Sequence, residues 1–188
     1  MGRWEPNARG RLANAALELY SERGFEQTTV AEIAKRAGLT ERTFFRHYAD
    51  KREVLFAGSN QLEEAFVKAV ADVPKSATPI DAVAVGLDAL AGFFVDRRDF
   101  ARRRQAVIMA TAELQERELI KLASMSAALA DTLRRRGVAE PAASLTAEAG
   151  VAVFKVGFEL WIGSAEEHEM SRFMRESLDE LRTALTGN

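Results

Sequence analysis

Thr40, Arg42, Thr43, Phe45, Arg46, His47, Tyr48 and Lys51 fall within twelve residues and bring hydroxyls, cations and flat rings to one short stretch. Arg can pair bidentately with guanine, Thr offers both a hydroxyl and a methyl group, and Lys, His and Tyr can reach phosphate oxygens. Just upstream, Thr28 and Thr29 precede a short apolar-periodic run. A hydroxyl there would join free helix-end amides around the same kind of anion. The chemistry offered is nucleic-acid recognition. Catalysis has less to work with: the chain has no Cys and two lone His, and no carboxylate pair has a credible partner. No cofactor and no metal site is expected. His168, within Glu166-Glu167-His168-Glu169, reads as an exposed helix start, because successive helical residues point in different directions.

The elements that must hold these groups are helices. Four Pro occur, at positions 6, 74, 79 and 141, and the stretches between them are rich in Ala, Leu, Glu and Arg. No period-2 strand pattern bounded by turn signals is present, so the chain reads as all-α with about nine helices. The first spans roughly Asn7 to Arg23, with Leu12, Ala15, Ala16, Leu17 and Tyr20 inward and Gly24 at its end. Thr29 and Glu32 form a capping-box pattern that opens a second helix, closed at Gly38. Thr40 caps a third, from Glu41 to about Tyr48. Helix, tight turn and helix, with Ala34 at the close approach and Leu39 and Phe44 in the angle, is the pattern of a helix-turn-helix. With Phe44 as the buried anchor, the opposite side presents Arg42, Thr43, Phe45, Arg46, His47 and Tyr48.

Further helices are expected at Asp50 to Val73, Ile80 to Asp96, Phe100 to Ala112, Gln115 to Arg136, Pro141 to Ser164 and His168 to Leu185. The linker Pro74 to Pro79 is the clearest internal break. Arg102-Arg103-Arg104 reads as a solvated helix face. The net charge of −2 hides a split: residues 1–52 carry ten Lys+Arg against seven Asp+Glu, and the rest sixteen against twenty-one. A basic head on an acidic body is a weak sign of a nucleic-acid module. No run approaches the ~20 apolar residues of a membrane span, and the absence of Cys fits a reducing cytoplasm.

The run AALELYSERGFEQTTVAEIAKRAGLTERTFFRHYADKREVL closely resembles the DNA-binding domain of TetR-type bacterial transcriptional regulators, over roughly residues 9–56. That resemblance implies a helix-turn-helix head at 1–50 and a helical ligand-binding and dimerisation body at 51–188. It also implies a homodimer on double-stranded DNA with an inverted-repeat operator, released when a small-molecule effector binds, and no membrane. Such proteins often have Tyr where this chain has Phe45, which can make an apolar contact but cannot hydrogen-bond a phosphate.

In the body, Gly150, Val153, Gly157 and Leu160 form a second apolar face on the eighth helix. With Phe173, Leu178 and Leu181 on the last helix, it is expected to meet a partner subunit. Phe66, Phe93, Phe94, Met109, Met125, Phe158 and Trp161 are the candidate pocket lining, which favours an apolar or aromatic effector. Filling that pocket is expected to act on the head through the fourth helix, joined directly to the third by Ala49-Asp50-Lys51. The competing classes are a helical ligand carrier or enzyme, and an activator of the same fold.

Overall fold

The computed structural model describes residues 7–165 and 168–187. Among them the chain forms nine α-helices and one 3-10 turn. In order these are α1 (Ala8–Arg23), α2 (Val30–Arg36), α3 (Glu41–His47), the 3-10 turn Glu53–Phe56, α4 (Ser59–Asp72), α5 (Pro79–Gly92), α6 (Arg98–Met109), α7 (Ala112–Arg135), α8 (Ala142–Gly163) and α9 (Met170–Thr186). None of the described helices is long and apolar enough to cross a membrane. Two compact units emerge. One holds the chain up to Gly58 with Arg103–Glu118, the other Ser59–Arg102 with the chain from Leu119 onward.

In the first unit local signals set the ends of each helix. Thr29 and Glu32 form the expected capping box, satisfying backbone donors in both directions. Thr40 accepts from the Thr43 amide to open α3. Between them Gly38 turns the chain at φ +67°, a left-handed conformation that costs glycine little. Leu12, Ala15, Ala16, Leu17 and Tyr20 of α1 are all buried, as are Ile33, Ala34 and Phe44 of the two helices beyond.

The expected fourth helix does not run unbroken from Asp50. The Asp50 carboxylate accepts from the amides of Arg52 and Glu53, and the tight turn that follows buries Val54, Leu55 and Phe56 together. Three consecutive residues cannot share one stripe of an α-helix at 100° per residue, so a different geometry hides all three. Gly58 follows before α4 begins, and α4 is therefore not joined directly to α3. Two other boundaries shift. α5 ends at Gly92, with Asp96 in a left-handed conformation where helix was expected. A turn at 110–111 replaces the end of the expected sixth helix.

In the second unit, α4, α5, α7, α8 and α9 surround a core that includes Phe66, Val83, Leu87, Leu129, Phe154 and Met174. α8 is apolar on two sides because both are used within its own unit. A Cβ on Gly150 would come 2.8 Å from Val83, and one on Gly157 would come 2.9 Å from Met174. The two glycines thus admit neighbouring helices of the same chain, and Val153 and Leu178 are also buried. This corrects the expectation that Gly150, Val153 and Gly157 face a partner subunit. The outward stripe of α8 runs instead through Leu145 (65% exposed), Val156 (48%) and Leu160 (53%), with Ala152 exposed between them. Phe173 and Leu181 are half-buried.

Of the aromatic and Met positions considered as pocket lining, Phe66, Met125, Phe158 and Trp161 are buried, and Phe93 and Phe94 half-buried. Phe94, Phe158 and Trp161 meet edge-on or tilted at 5.5–6.0 Å, with Phe154 beside them. Met109 stands apart: it ends α6, belongs to the first unit and is exposed. A six-residue stretch from the end of α8 to α9 carries His168, which is half-buried, with its carbonyl accepting from the Trp161 indole (3.2 Å). Glu166 and Glu167 lie outside the described residues.

Candidate nucleic-acid interface

The polar groups between Thr28 and Lys51 divide sharply into two sets. One is consumed in holding the three short helices together. Thr28 is buried, and its hydroxyl donates to the Gly24 carbonyl (2.9 Å). Tyr48 is buried too, four residues after Phe44 and packed on it at 5.6 Å, and its hydroxyl donates to the Arg9 carbonyl (2.9 Å). Burial raises the Tyr48 phenol above its ordinary pKa, so it stays a neutral donor. Both residues were expected at the surface facing DNA. The i, i+4 spacing of Phe44 and Tyr48 puts them on one side of the helix, which explains the correction.

Lys51 is half-buried. Its ammonium donates to the carbonyls of Phe25 (3.0 Å) and Thr28 (3.2 Å) and lies 4.2 Å from the centre of the Phe25 ring. Two of its three donors are thus taken inside the unit, fastening the α1–α2 turn to the segment after α3. The Tyr20 hydroxyl donates to the carbonyl of Lys51 itself (2.6 Å), and burial, aided by the Asp50 carboxylate, raises that phenol well above its usual value. At the start of α2, Thr29 is exposed, but its hydroxyl donates to Glu32 and accepts from the Glu32 amide. Glu32 also pairs with Arg23 at 3.0 Å. The place a phosphate would take at that helix end is held by a carboxylate.

The other set makes no bond outside α3 and its cap. Arg42 and Arg46 are exposed and, among the described residues, make no ion pair or side-chain hydrogen bond. Phe45 is 56% exposed, its ring set edge-on against buried Phe44 at 5.4 Å and 81°. Thr40 is exposed and Thr43 half-buried, their hydroxyls 3.1 Å apart. His47 is half-buried, with Nε2 enclosed and without a partner. The outward face of α3 is therefore two free guanidinium groups beside one apolar ring, rimmed by hydroxyls.

The segment that follows α3 is braced from far along the chain, where no local signal points to it. Arg104 on α6 donates to the Leu55 carbonyl (2.7 Å), pairs with Glu118 (3.1 Å) and lies over the Phe56 ring. Arg117 pairs with Glu53, and Arg52 bridges Asp50 and Glu113. Arg104 and Leu55, Arg117 and Glu53, and Arg52 and Glu113 are about fifty to sixty residues apart, a separation no local pattern reveals. The arginine run noted at 102–104 is not one solvated face: Arg103 is exposed, Arg104 braces the 3-10 turn, and Arg102 donates to the Ile162 carbonyl at the end of α8.

Comparison with known proteins bears on the family of the chain. A family model described as bacterial regulatory proteins, tetR family, matches residues 12–57, and one described as the MftR C-terminal domain matches residues 77–186. The regulator TcmR of Streptomyces glaucescens is 38% identical over 84 residues, 45% of this chain and only 37% of that protein's length. MftR, the proposed mycofactocin biosynthesis regulator of Mycobacterium tuberculosis, is 29% identical over 137 residues, covering 72% of this chain and 69% of its own. The fold is shared with the transcriptional regulator FadR of Bacillus subtilis, solved with stearoyl-CoA, at a TM-score of 0.64 and 17% identity over 92% of this chain and 96% of that one. With both parts of the chain matched in order, and a helix-turn-helix in the first, the chain belongs to the TetR family of DNA-binding transcriptional regulators.

Proposed function

We propose that the chain is a homodimeric repressor that binds an inverted-repeat operator through the outward face of α3 and releases it when an apolar or aromatic small molecule binds the second unit. The observation that carries the reading is the uncommitted pair Arg42 and Arg46 on either side of exposed Phe45. Guanidinium groups that find no partner within the chain are suited to guanine edges and phosphates. Thr40, Thr43 and His47 stand at the rim of the same face. Thr29 and Lys51 join it only by giving up bonds they now make.

A dimer is supported by the stripe Leu145, Val156 and Leu160, which leaves aliphatic surface in water along nearly the whole of α8. Phe173 and Leu181 on α9, packed against the core, are half-buried and keep part of their surface for a partner. Dimerisation suits recognition as well, since one small head specifies few base pairs and two heads about one DNA turn apart specify an inverted repeat. The aromatic group of Phe94, Phe154, Phe158 and Trp161 favours an apolar effector, as does the acyl chain carried by the ligand of the FadR neighbour. Selection of bound sequences from a random DNA pool tests the reading. One inverted repeat should be enriched, and its binding should weaken steeply with salt. Recovery of no preferred sequence would refute it.

A further inference from the structure

Among the described residues up to Gly58, Phe45 is the one large apolar side chain left exposed. The other aromatics of that stretch, Tyr20, Phe25, Phe44, Tyr48 and Phe56, are all buried. An isolated exposed ring is ordinary on a protein surface. This one differs because it lies on the recognition helix, in the middle of its outward face. Arg42 is one turn before it and Arg46 is the next residue. Its ring is also set edge-on against Phe44, which is itself fully buried.

We propose that Phe45 packs on the C5-methyl group of a thymine in each half of the operator, and so selects thymine at one position. The ring carries no hydroxyl, so it can neither donate to a phosphate nor pair with a base edge. The major-groove edges of the four base pairs offer donors and acceptors throughout but a single apolar group, the thymine methyl. An exposed ring on the reading helix gains from contact with that group and loses by covering a polar edge that water would otherwise satisfy. Arg42 and Arg46, as neighbours on the same face, set the register in which the ring meets its base. The inference rests on the reading of α3 as the DNA-facing helix and adds the chemical identity of one base.

The test uses the full chain and the operator selected from a random pool. Each thymine of both half-sites is replaced in turn by deoxyuridine, which removes the methyl group and leaves base pairing intact. Affinity is then measured at fixed salt for the native chain and for Phe45→Ala. At one symmetric thymine position the native chain should lose about fourfold in affinity per methyl removed, the scale of one buried methyl group. Phe45→Ala should be indifferent to that same substitution while keeping its thermal melting temperature. Equal affinities across all deoxyuridine operators, or the same loss in Phe45→Ala, would overturn the inference and leave the DNA-reading face intact. Failure to enrich any sequence would overturn both.

Discussion

Among the described residues, the outward faces of α3 and α8 are both left uncovered by the fold, and they differ in chemistry. The outward face of α3 shows Arg42, Phe45 and Arg46, cations around one ring. The outward stripe of α8 shows Leu145, Val156 and Leu160, aliphatic throughout, with Lys155 and Glu159 beside it. The first suits a polyanion with structured edges, the second another protein surface of the same kind. Exposure alone would not separate them. Their chemistry does, and within each unit residues with internal partners serve the fold while exposed residues without them are available for recognition.

The comparison breaks most visibly if neighbours in sequence are exchanged between these classes. Phe44→Ala should cost about 3–5 kcal/mol, as truncation of a fully buried aromatic does, and should melt the head in a thermal scan. Phe45→Ala, one residue on, should stay within about 0.5 kcal/mol of the native stability. Next in size is the double substitution Val156→Glu with Leu160→Glu. Carboxylates pressed together across an interface cost several kcal/mol, so the dimer Kd should rise at least about a hundredfold by sedimentation while each chain stays folded. A variant that sediments as the native protein does would remove α8 from the interface.

Lys51 sharpens the boundary between the classes. Lys51→Ala removes the ammonium from the Phe25 and Thr28 carbonyls, of which that of Phe25 keeps the Thr28 amide, and should destabilise the head by about 1–3 kcal/mol. If it melts as the native chain does but binds DNA with a shallower salt dependence, Lys51 belongs with the outward residues instead. The smallest effect concerns acid. The Arg52 guanidinium, with help from the Glu53 and Arg52 amides, holds the Asp50 carboxyl below its usual range. Its folded pKa is therefore below the unfolded value of about 3.9, so its stabilisation is complete above that pH and is lost as pH falls through the folded value. Asp50→Asn should flatten this part of an acid titration of stability, lower stability at neutral pH by the lost pairing, and leave the pH slope between pH 6 and 8 unchanged.

Much of the head was legible because its signals are local. Thr29 with Glu32, Thr40 with Thr43, Gly38 at the turn and Phe44 at the anchor all act within four residues, and each element they define formed as read. Tyr48 was legible in principle, since its spacing from Phe44 places it inward, but its hydroxyl suggested the opposite. The 3-10 turn was hidden because three adjacent apolar residues fit a helix stripe in composition and not in angle. The bracing by Arg104 and Arg117 was beyond reach, because its partners meet only after the chain has folded back over some fifty residues. In the body, the sequence reads two apolar faces on α8, and it does not tell whether the neighbour that covers a face is the same chain or a second copy.

The most direct test of the central claim is operator affinity, at fixed salt, of the native chain and of the double variant Arg42→Ala with Arg46→Ala. Each lost base or phosphate contact is worth about 1–3 kcal/mol, so the variant should bind about a hundredfold or more weakly and melt at the native temperature. Undiminished affinity in a folded double variant would contradict the account, because the face of α3 that the fold leaves free would then not be the face that reads DNA.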